Sequence, residues 1–376
     1  MRLFEYQAKA EFAKAGITIP KNMLASDIAQ VTVAIDEIGF PCVLKAQVLQ
    51  GGRGKAGLIK IVNSSPEAQQ AASELFSSPV NVKKILVEEA VDAVEEIYLA
   101  ITIEPSRAGY LLMGCREGGI DIETIAGETP EKIVRENIDI NLGIQPFQIA
   151  NFLYELGIPR EVMKPAGKLI DNLYHCFKQR DAELAEINPL FITRDNRLIA
   201  GDGKLSIDDN AFFRQSGYEI TREYFSSDVE YEAYREGIPY LLFDGDISLM
   251  CAGAGLTNAI YDLIHYHNGS VSSYCEFGGP NYRKAVKAME LALKSPSKVI
   301  LIVTFGTIAR ADIMAQGVVD AIDRLKPDRP IVTCIRGTNE EKARGILKKA
   351  GLTPIPDTEE AVKRAVELSA LPGGNQ

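Results

Sequence analysis

The chain of 376 residues is 46% hydrophobic and 24% charged, a composition of soluble globular proteins with room for two or three domains. Its 51 acidic against 41 basic residues give a formal charge of −10, which argues against general nucleic-acid or anionic-membrane binding. No apolar run approaches the ~18 residues of a membrane helix. The N-terminal stretch has no apolar signal-peptide core. Six scattered cysteines (42, 115, 176, 251, 275 and 334) lack a C-x-x-C spacing and read as reduced, mostly buried thiols of a cytosolic or mitochondrial-matrix compartment.

Phe4, Ala8, Phe12 and Ala15 recur at helical spacing, and Gly16 follows as a stop, so a helix is expected over 4–15. A second helix is expected over 28–39 and a strand over 41–48. Between that strand and the next, over 58–62, lie four glycines, Arg53 and Lys55 in Gln50-Gly-Gly-Arg-Gly-Lys-Ala-Gly57. Such a loop is either a flexible turn or a flap over a phosphate, because glycines let backbone N–H groups approach and cations supply charge. It is not a Walker loop. Lys45, on the preceding strand, would face the same phosphates. A strand from Ile85 leaves through Glu88, and another begins at Glu95-Glu96. That exit offers a carboxylate and free backbone groups to an adenine and ribose. Thr129-Pro130-Glu131 predicts a helix start running to Glu136, and helices are expected over 145–156 and 160–177.

The stretch with the clearest chemistry runs from Glu183 to Lys204. Alternation over 184–193 and 198–202 predicts a hairpin turning at Arg194-Asp195-Asn196-Arg197. Strand periodicity then puts Glu186 and Asn188 on one face and brings Asp202 back beside them. Converging hard oxygens suit a Mg²⁺ carrying nucleotide phosphates, since that ion keeps waters and takes one or two protein ligands. A solvated hairpin with ordinary charges is the other reading.

A strand lysine, a glycine-rich flap, an exit bearing Glu88 and an acidic hairpin, in that order, resemble the ATP-grasp fold. Leu3-Phe-Glu-Tyr-Gln-Ala-Lys9, Val43-Leu-Lys-Ala-Gln47, Gly51-Gly-Arg-Gly-Lys-Ala-Gly57, Glu117-Gly-Gly-Ile-Asp-Ile-Glu123, Glu186-Ile-Asn-Pro-Leu190, Asp202-Gly-Lys and Asp209-Asn-Ala-Phe-Phe-Arg214 are similar, in register, to the β subunit of succinyl-CoA synthetase and its relatives. The resemblance implies that Lys45, Gly52, Arg53, Gly54, Glu88 and Glu96 contact ATP or GTP, that Asn188 and Asp202 hold Mg²⁺, and that Glu186 holds a phosphohistidine during transfer. Val91 stands where many members carry a polar nucleotide contact, so that contact is through backbone or lost.

Residues 226–239 read as a linker between a first domain over 1–225 and a second over 240–376. Beyond it, strand-like runs over 247–252, 271–277, 298–305 and 330–335 alternate with helical runs over 256–267, 281–294, 310–324 and 339–350, and a last helix follows Asp357. This is the pattern of an α/β, flavodoxin-like parallel sheet, whose ligands sit at the carboxyl ends of strands. Phe277-Gly-Gly-Pro280-Asn281 and Phe305-Gly-Thr307-Ile-Ala-Arg310 are its strand-to-helix turns. Each fits anion binding at a helix start or plain turn geometry. By resemblance, Gly306, Thr307, Ile308 and Ala309 form the substrate loop.

The three histidines, His175, His265 and His267, lie outside any glycine-rich turn. The resemblance accordingly assigns the phosphohistidine and most of the CoA site to a partner α subunit, in αβ or α2β2 assemblies. Ala252 replaces the family asparagine that contacts the acid, Thr307, Ala309 and Pro280 also depart from the pattern, and Arg336 stands where the succinate enzymes carry an acidic or apolar residue. A lost amide and a gained cation suit a larger or more highly charged acid; Arg336 as an interface residue is the other reading. The expectation is the β subunit of a nucleoside-diphosphate-forming acid–CoA ligase, with succinate as the default acid. The alternatives are a citrate- or malate-type ligase, a self-sufficient ATP-grasp ligase, and a non-catalytic nucleotide-binding subunit.

Overall fold

A computed structural model describes residues 1–49, 51–278, 281–306 and 309–371. The chain divides into two compact units between Glu219 and Ile220. In the first, the order is α1 (Glu5–Lys14), β1 (Asn22–Ala25), α2 (Ile28–Ile38), β2 (Cys42–Ala46), β3 (Ile59–Val62), α3 (Ser65–Phe76), β4 (Ile85–Glu89), β5 (Ala93–Glu104), β6 (Gly109–Cys115), α4 (Ile122–Glu128), β7 (Val134–Ile138), α5 (Pro146–Glu155), α6 (Arg160–Gln179), β8 (Ala182–Thr193), β9 (Leu198–Ala200) and β10 (Gly203–Ile207).

These strands build two antiparallel sheets, β1-β4-β2-β3 and β10-β8-β5-β6-β7, with β9 paired to β8. Val31, Ala34 and Ile35 of α2 and Ala68, Ala72 and Leu75 of α3 form one core with Leu44, Ile85 and Val87 of the smaller sheet. Asp27 caps α2 by accepting from the Gln30 N–H at 2.8 Å, which satisfies one of the orphan donors of the first turn. The start of the chain is tied to β10, since Leu3 N donates to Leu205 O and Ile207 N to Met1 O, both at 2.8 Å. That pairing fixes where α1 begins.

The helix expected from Thr129 to Glu136 is a correction. Only Pro130–Lys132 makes a short 3-10 turn, and β7 follows. Val134 and Ile138 are buried and Glu136 partly buried, while Arg135 and Asn137 are exposed. This period of two matches the edge of β6, and tertiary pairing outweighs the cap signal.

The second unit runs α7 (Asp228–Arg235), β11 (Tyr240–Leu242), β12 (Ile247–Cys251), α8 (Ala254–Tyr266), β13 (Val271–Glu276), α9 (Ala285–Leu293), β14 (Val299–Gly306), α10 (Ala311–Leu325), β15 (Ile331–Gly337), α11 (Glu340–Lys349) and α12 (Thr358–Ala370). Its sheet order is β11-β13-β12-β14-β15, parallel except for the edge strand β11. One face packs α7, α9, α10 and α11 on Met250, Ile300 and Ile302, and the other packs α8 and α12 on Leu249, Leu301 and Val303. Strands buried on both faces explain the unbroken Val/Ile/Leu runs.

The segment expected to be a linker, 226–239, is part of this unit. Ser227 caps α7 with a reciprocal capping box to Glu230, and Ala233 and Ile238 are fully buried in the α9–α11 core. The polar outer face of this short helix hid its apolar stripe.

Candidate active site

The first unit holds a cavity of about 540 Å³ lined by both of its sheets. On one wall, β2 supplies Lys45, β4 supplies Glu88 and α1 supplies Glu5; the glycine flap adds Gly51, Gly52, Arg53 and Gly54, and the hairpin adds Asn188, Gly201, Asp202 and Lys204. Val91 and Glu96 line it at the exit of β4 and the start of β5. Every nucleotide and metal residue expected from the sequence therefore faces one space.

The wall is a buried charge network. Lys45 Nζ lies 2.9 Å from Glu5 Oε1, 2.7 Å from Glu88 Oε2 and 2.5 Å from the Gly201 carbonyl. Arg53 reaches Glu5 Oε2 with Nη1 at 2.6 Å and Asp202 Oδ2 with Nη2 at 2.7 Å. Burial alone would raise the Glu5 carboxyl, but Lys45, Lys9 and Arg53 hold it well below the usual carboxylate range. Burial would likewise lower the Lys45 ammonium, and Glu5, Glu88 and Asp202 reverse this, so it rises above the ordinary lysine range. These groups stay charged across neutral pH.

Gly52 takes φ +70°, a left-handed conformation that glycine adopts without penalty. It starts the tight turns that bring Leu58 N back to Arg53 O at 2.9 Å. Lys55 then reaches Asp121 Oδ2 at 2.6 Å across the cavity mouth. Asn188 is oriented by the opposite loop: its Oδ1 accepts from Gly119 N at 2.7 Å and its Nδ2 donates to Ile120 O at 2.9 Å. The β5/β8 register shifts beside it, between Ile97 and Leu99, and a bulge of this kind re-aims a strand side chain. Asp202 Oδ1 accepts from Gly203 N at 2.7 Å. Asn188 and Asp202 each keep a lone pair for a cation, and two hard oxygens at one cavity suit a Mg²⁺ that brings waters and phosphate oxygens with it.

Glu186 behaves differently from the expectation that it converges with these two. It is buried but does not line the cavity. The β8/β10 register puts Lys204 directly opposite, with Nζ 2.5 Å from Glu186 Oε1, and the Tyr98 hydroxyl donates to Oε2 at 3.4 Å. Lys204 lines the cavity in its place. Glu5, Lys9, Tyr98 and Lys204 were not singled out as site residues. The signal for the first two was an opposite-charge pair at i,i+4 beside the apolar Ala8 and Phe12, a position where an exposed pair is not expected.

In the second unit, the expected acid-site residues that are described, Ala252, Gly306, Ala309 and Arg336, lie at or just beyond the carboxyl ends of strands. Ala252 follows β12 and packs on Gly278, where an added Cβ would fall 2.4 Å from the Ala252 Cβ. Gly306 ends β14 and accepts from Thr338 N at 2.9 Å, and Ala309 packs on the core beneath α10. Thr307 and Ile308 lie outside the described residues, as does Pro280. Arg336, next to last in β15, lies opposite Phe305, with its guanidinium 6.0 Å from that ring and Nε 3.4 Å from Glu340 Oε2. It is half-exposed. The histidines are peripheral: His175 and His265 meet backbone carbonyls one helical turn earlier, and His267 faces Glu359 at 3.3 Å. All six cysteines are free and buried, and among the described residues no helix is long and apolar enough to cross a membrane.

Two antiparallel sheets closing on a cleft lined by paired charges, followed by a parallel-sheet unit, define an ATP-grasp domain joined to a CoA-ligase domain. Family comparison agrees: the ATP-grasp domain family matches residues 2–192 and the CoA-ligase family matches residues 250–368. The chain belongs to the β subunits of the ATP-grasp acid–CoA ligase family. It is 56% identical over 370 residues to the ADP-forming sulfoacetate-CoA ligase subunit SauC of Bilophila wadsworthia, covering 98% of this chain and 99% of the relative. It is 39% identical over 374 residues to the ADP-forming succinate–CoA ligase subunit beta of Ignicoccus hospitalis, covering 98% and 99%. The fold is shared with ATP citrate lyase from Methanothrix soehngenii, solved with citrate and coenzyme A, at TM-score 0.76 and 19% identity over 97% of this chain and 99% of that one.

Proposed function

We propose that this chain is the β subunit of an ADP-forming CoA ligase for a short acid bearing a second strong anion, with sulfoacetate as the substrate, and that it works with an α subunit carrying the phosphorylated histidine and most of the CoA site. The compartment proposed is the cytosol. The observation that carries the catalytic half is the cleft wall, where Lys45, Arg53, Asn188 and Asp202 line one cavity. Mg²⁺ held there would neutralise and orient the phosphate oxygens. Lys45 and Arg53 grip those oxygens, the glycine flap supplies backbone N–H groups, and Glu88, Val91 and Glu96 border the base and ribose. Electrostatic positioning is what phosphoryl transfer chiefly requires of a protein. Glu186, held between Lys204 and Tyr98, takes the partner's histidine during transfer.

The acid is supported by Arg336 together with Ala252. A guanidinium at a strand end offers a planar fork to carboxylate or sulfonate oxygens, and an alanine in place of an amide removes a contact fitted to a plainer acid. The sulfoacetate relative, at 56% identity, favours this acid over succinate, the default of the sequence reading. Succinate stands second, on the strength of the 39% relative.

The test is co-expression with the α partner, then an acid panel of sulfoacetate, succinate, malate and citrate read by CoA-thioester formation and ADP release. Sulfoacetate should give at least about tenfold higher kcat/KM than succinate, the discrimination one charged contact supplies. Preference for succinate would overturn the substrate. Full turnover by this chain without a partner would overturn the subunit assignment.

A further inference from the structure

We infer that Lys9 is a positioning residue: a cation sealed behind the cleft wall that stays with Glu5 and Glu88 and so frees Lys45 and Arg53 to take nucleotide phosphates. The inference rests on reading the cleft as a nucleotide site.

Three cations, Lys9, Lys45 and Arg53, face three carboxylates, Glu5, Glu88 and Asp202, in one connected network. Five of the six line the cavity, and Lys9 does not. Its side chain is 1% exposed. Its Nζ lies 3.0 Å from Glu5 Oε1, 2.5 Å from Glu88 Oε1 and 2.8 Å from the Gly201 carbonyl. An ammonium has three donors, so these contacts use all of them and none is left for a ligand.

Lys45 also has its three donors on Glu5, Glu88 and the Gly201 carbonyl; what sets it and Arg53 apart from Lys9 is access to the cavity. Both reach the cavity, and both are held by the carboxylates that Lys9 touches, Lys45 by Glu5 and Glu88 and Arg53 by Glu5. A phosphate chain can recruit them only by drawing them off those carboxylates. A buried carboxylate stripped of its cation is strongly disfavoured. Lys9 prevents that, because it contacts one oxygen of Glu5 and one of Glu88, and both remain paired after the other two cations have turned outward. Without Lys9, recruiting the cleft cations would strand two buried carboxylates, and phosphate binding would weaken. An ordinary structural ion pair would affect stability instead, and deleting its anionic partner would not bring ligand binding back.

The experiment is calorimetric titration of the full-length chain with Mg-ADP for wild type, Lys9→Met, Glu5→Gln and the Lys9→Met/Glu5→Gln double variant, with folding checked by circular dichroism melts. Lys9→Met should bind about tenfold more weakly or worse, Glu5→Gln no more weakly than wild type, and the double variant, which still strands Glu88, between Lys9→Met and wild type and less than about tenfold below wild type. Should Lys9→Met not fold, Glu5→Gln and the double variant decide alone. Wild-type affinity in Lys9→Met, a tenfold loss in Glu5→Gln, or a double variant weaker than Lys9→Met overturns the inference. A wild-type chain that does not bind Mg-ADP removes the nucleotide reading itself, and the inference with it.

Discussion

Arg53 in the glycine flap and Asp202 at the end of the hairpin, 149 positions apart, meet with Nη2 2.7 Å from Oδ2. This pair closes the flap on the proposed metal ligand. Because Arg53 also holds Glu5, it links the flap, α1 and the hairpin through one guanidinium. The side chain is only 10% exposed, so water screens it little, and its charge is offset by Glu5 and Asp202 until a phosphate draws it off them.

Glu186→Gln should separate chemistry from nucleotide binding. The carboxylate faces Lys204 and Tyr98 and not the cavity, so Mg-ADP affinity should stay within about twofold of wild type. Turnover of the assembled enzyme should fall about 100-fold, as expected for a group that acts during transfer. Calorimetry and steady-state rates on the αβ complex check both halves.

Arg336→Ala should act on the acid and not on the fold. Its partners are Glu340 and the Phe305 ring at an exposed strand end, and pairs of that kind contribute under about 0.5 kcal/mol. KM for the acid should rise about tenfold, with KM for ATP unchanged and with partial recovery in Arg336→Lys, which keeps charge but not the fork. Initial rates at varied acid and varied ATP distinguish the two.

Gly201→Ala should destabilise the first unit. An added Cβ would fall 2.2 Å from Phe191 Cε2 and 2.8 Å from its Cδ2 and Cζ, a collision relieved only by moving the ring or the hairpin. Overpacking of this kind costs about 1–3 kcal/mol. A melt should show Tm lower by several degrees, and Phe191→Leu in the same chain should recover part of it.

The thiols should be silent in the native state. Burial pushes Cys176 and Cys275 up to about 12 and Cys251 up to about 11, so the reactive thiolate is scarce below pH 10. All six cysteines are buried. At pH 8 a chromogenic disulfide reagent should react with fewer than one thiol in minutes, and with six once guanidinium unfolds the chain.

Periodic segments were the legible part of this protein. The parallel sheet follows from Val/Ile/Leu runs alternating with helical spacing, and its strands lie within a few residues of where they were expected. Composition marked the glycine loop with Arg53 and Lys55 as either a flexible turn or a phosphate flap, and the resemblance to ATP-grasp chains chose between them. What stayed hidden depended on pairing between distant segments. Lys204 opposite Glu186 is a matter of β8/β10 register, β7 forms because an edge of β6 is open to it, and α7 is short enough for its charges to mask Ala233. The buried pair Glu5 and Lys9 shows the same limit, since helical spacing places both on α1 but Glu88 comes from β4 of one sheet and Gly201 from the β9–β10 connection of the other.

The central claim is that Asn188 and Asp202 hold the metal of a nucleotide gripped by Lys45 and Arg53. Its most direct test is titration of the full-length chain with ADP, with and without Mg²⁺, for wild type and Asp202→Ala. Wild type should bind ADP at least about tenfold more tightly with Mg²⁺ present, and Asp202→Ala should lose that enhancement while its circular dichroism melt stays close to wild type. An Asp202→Ala chain whose Mg²⁺ enhancement equals that of wild type would contradict the account.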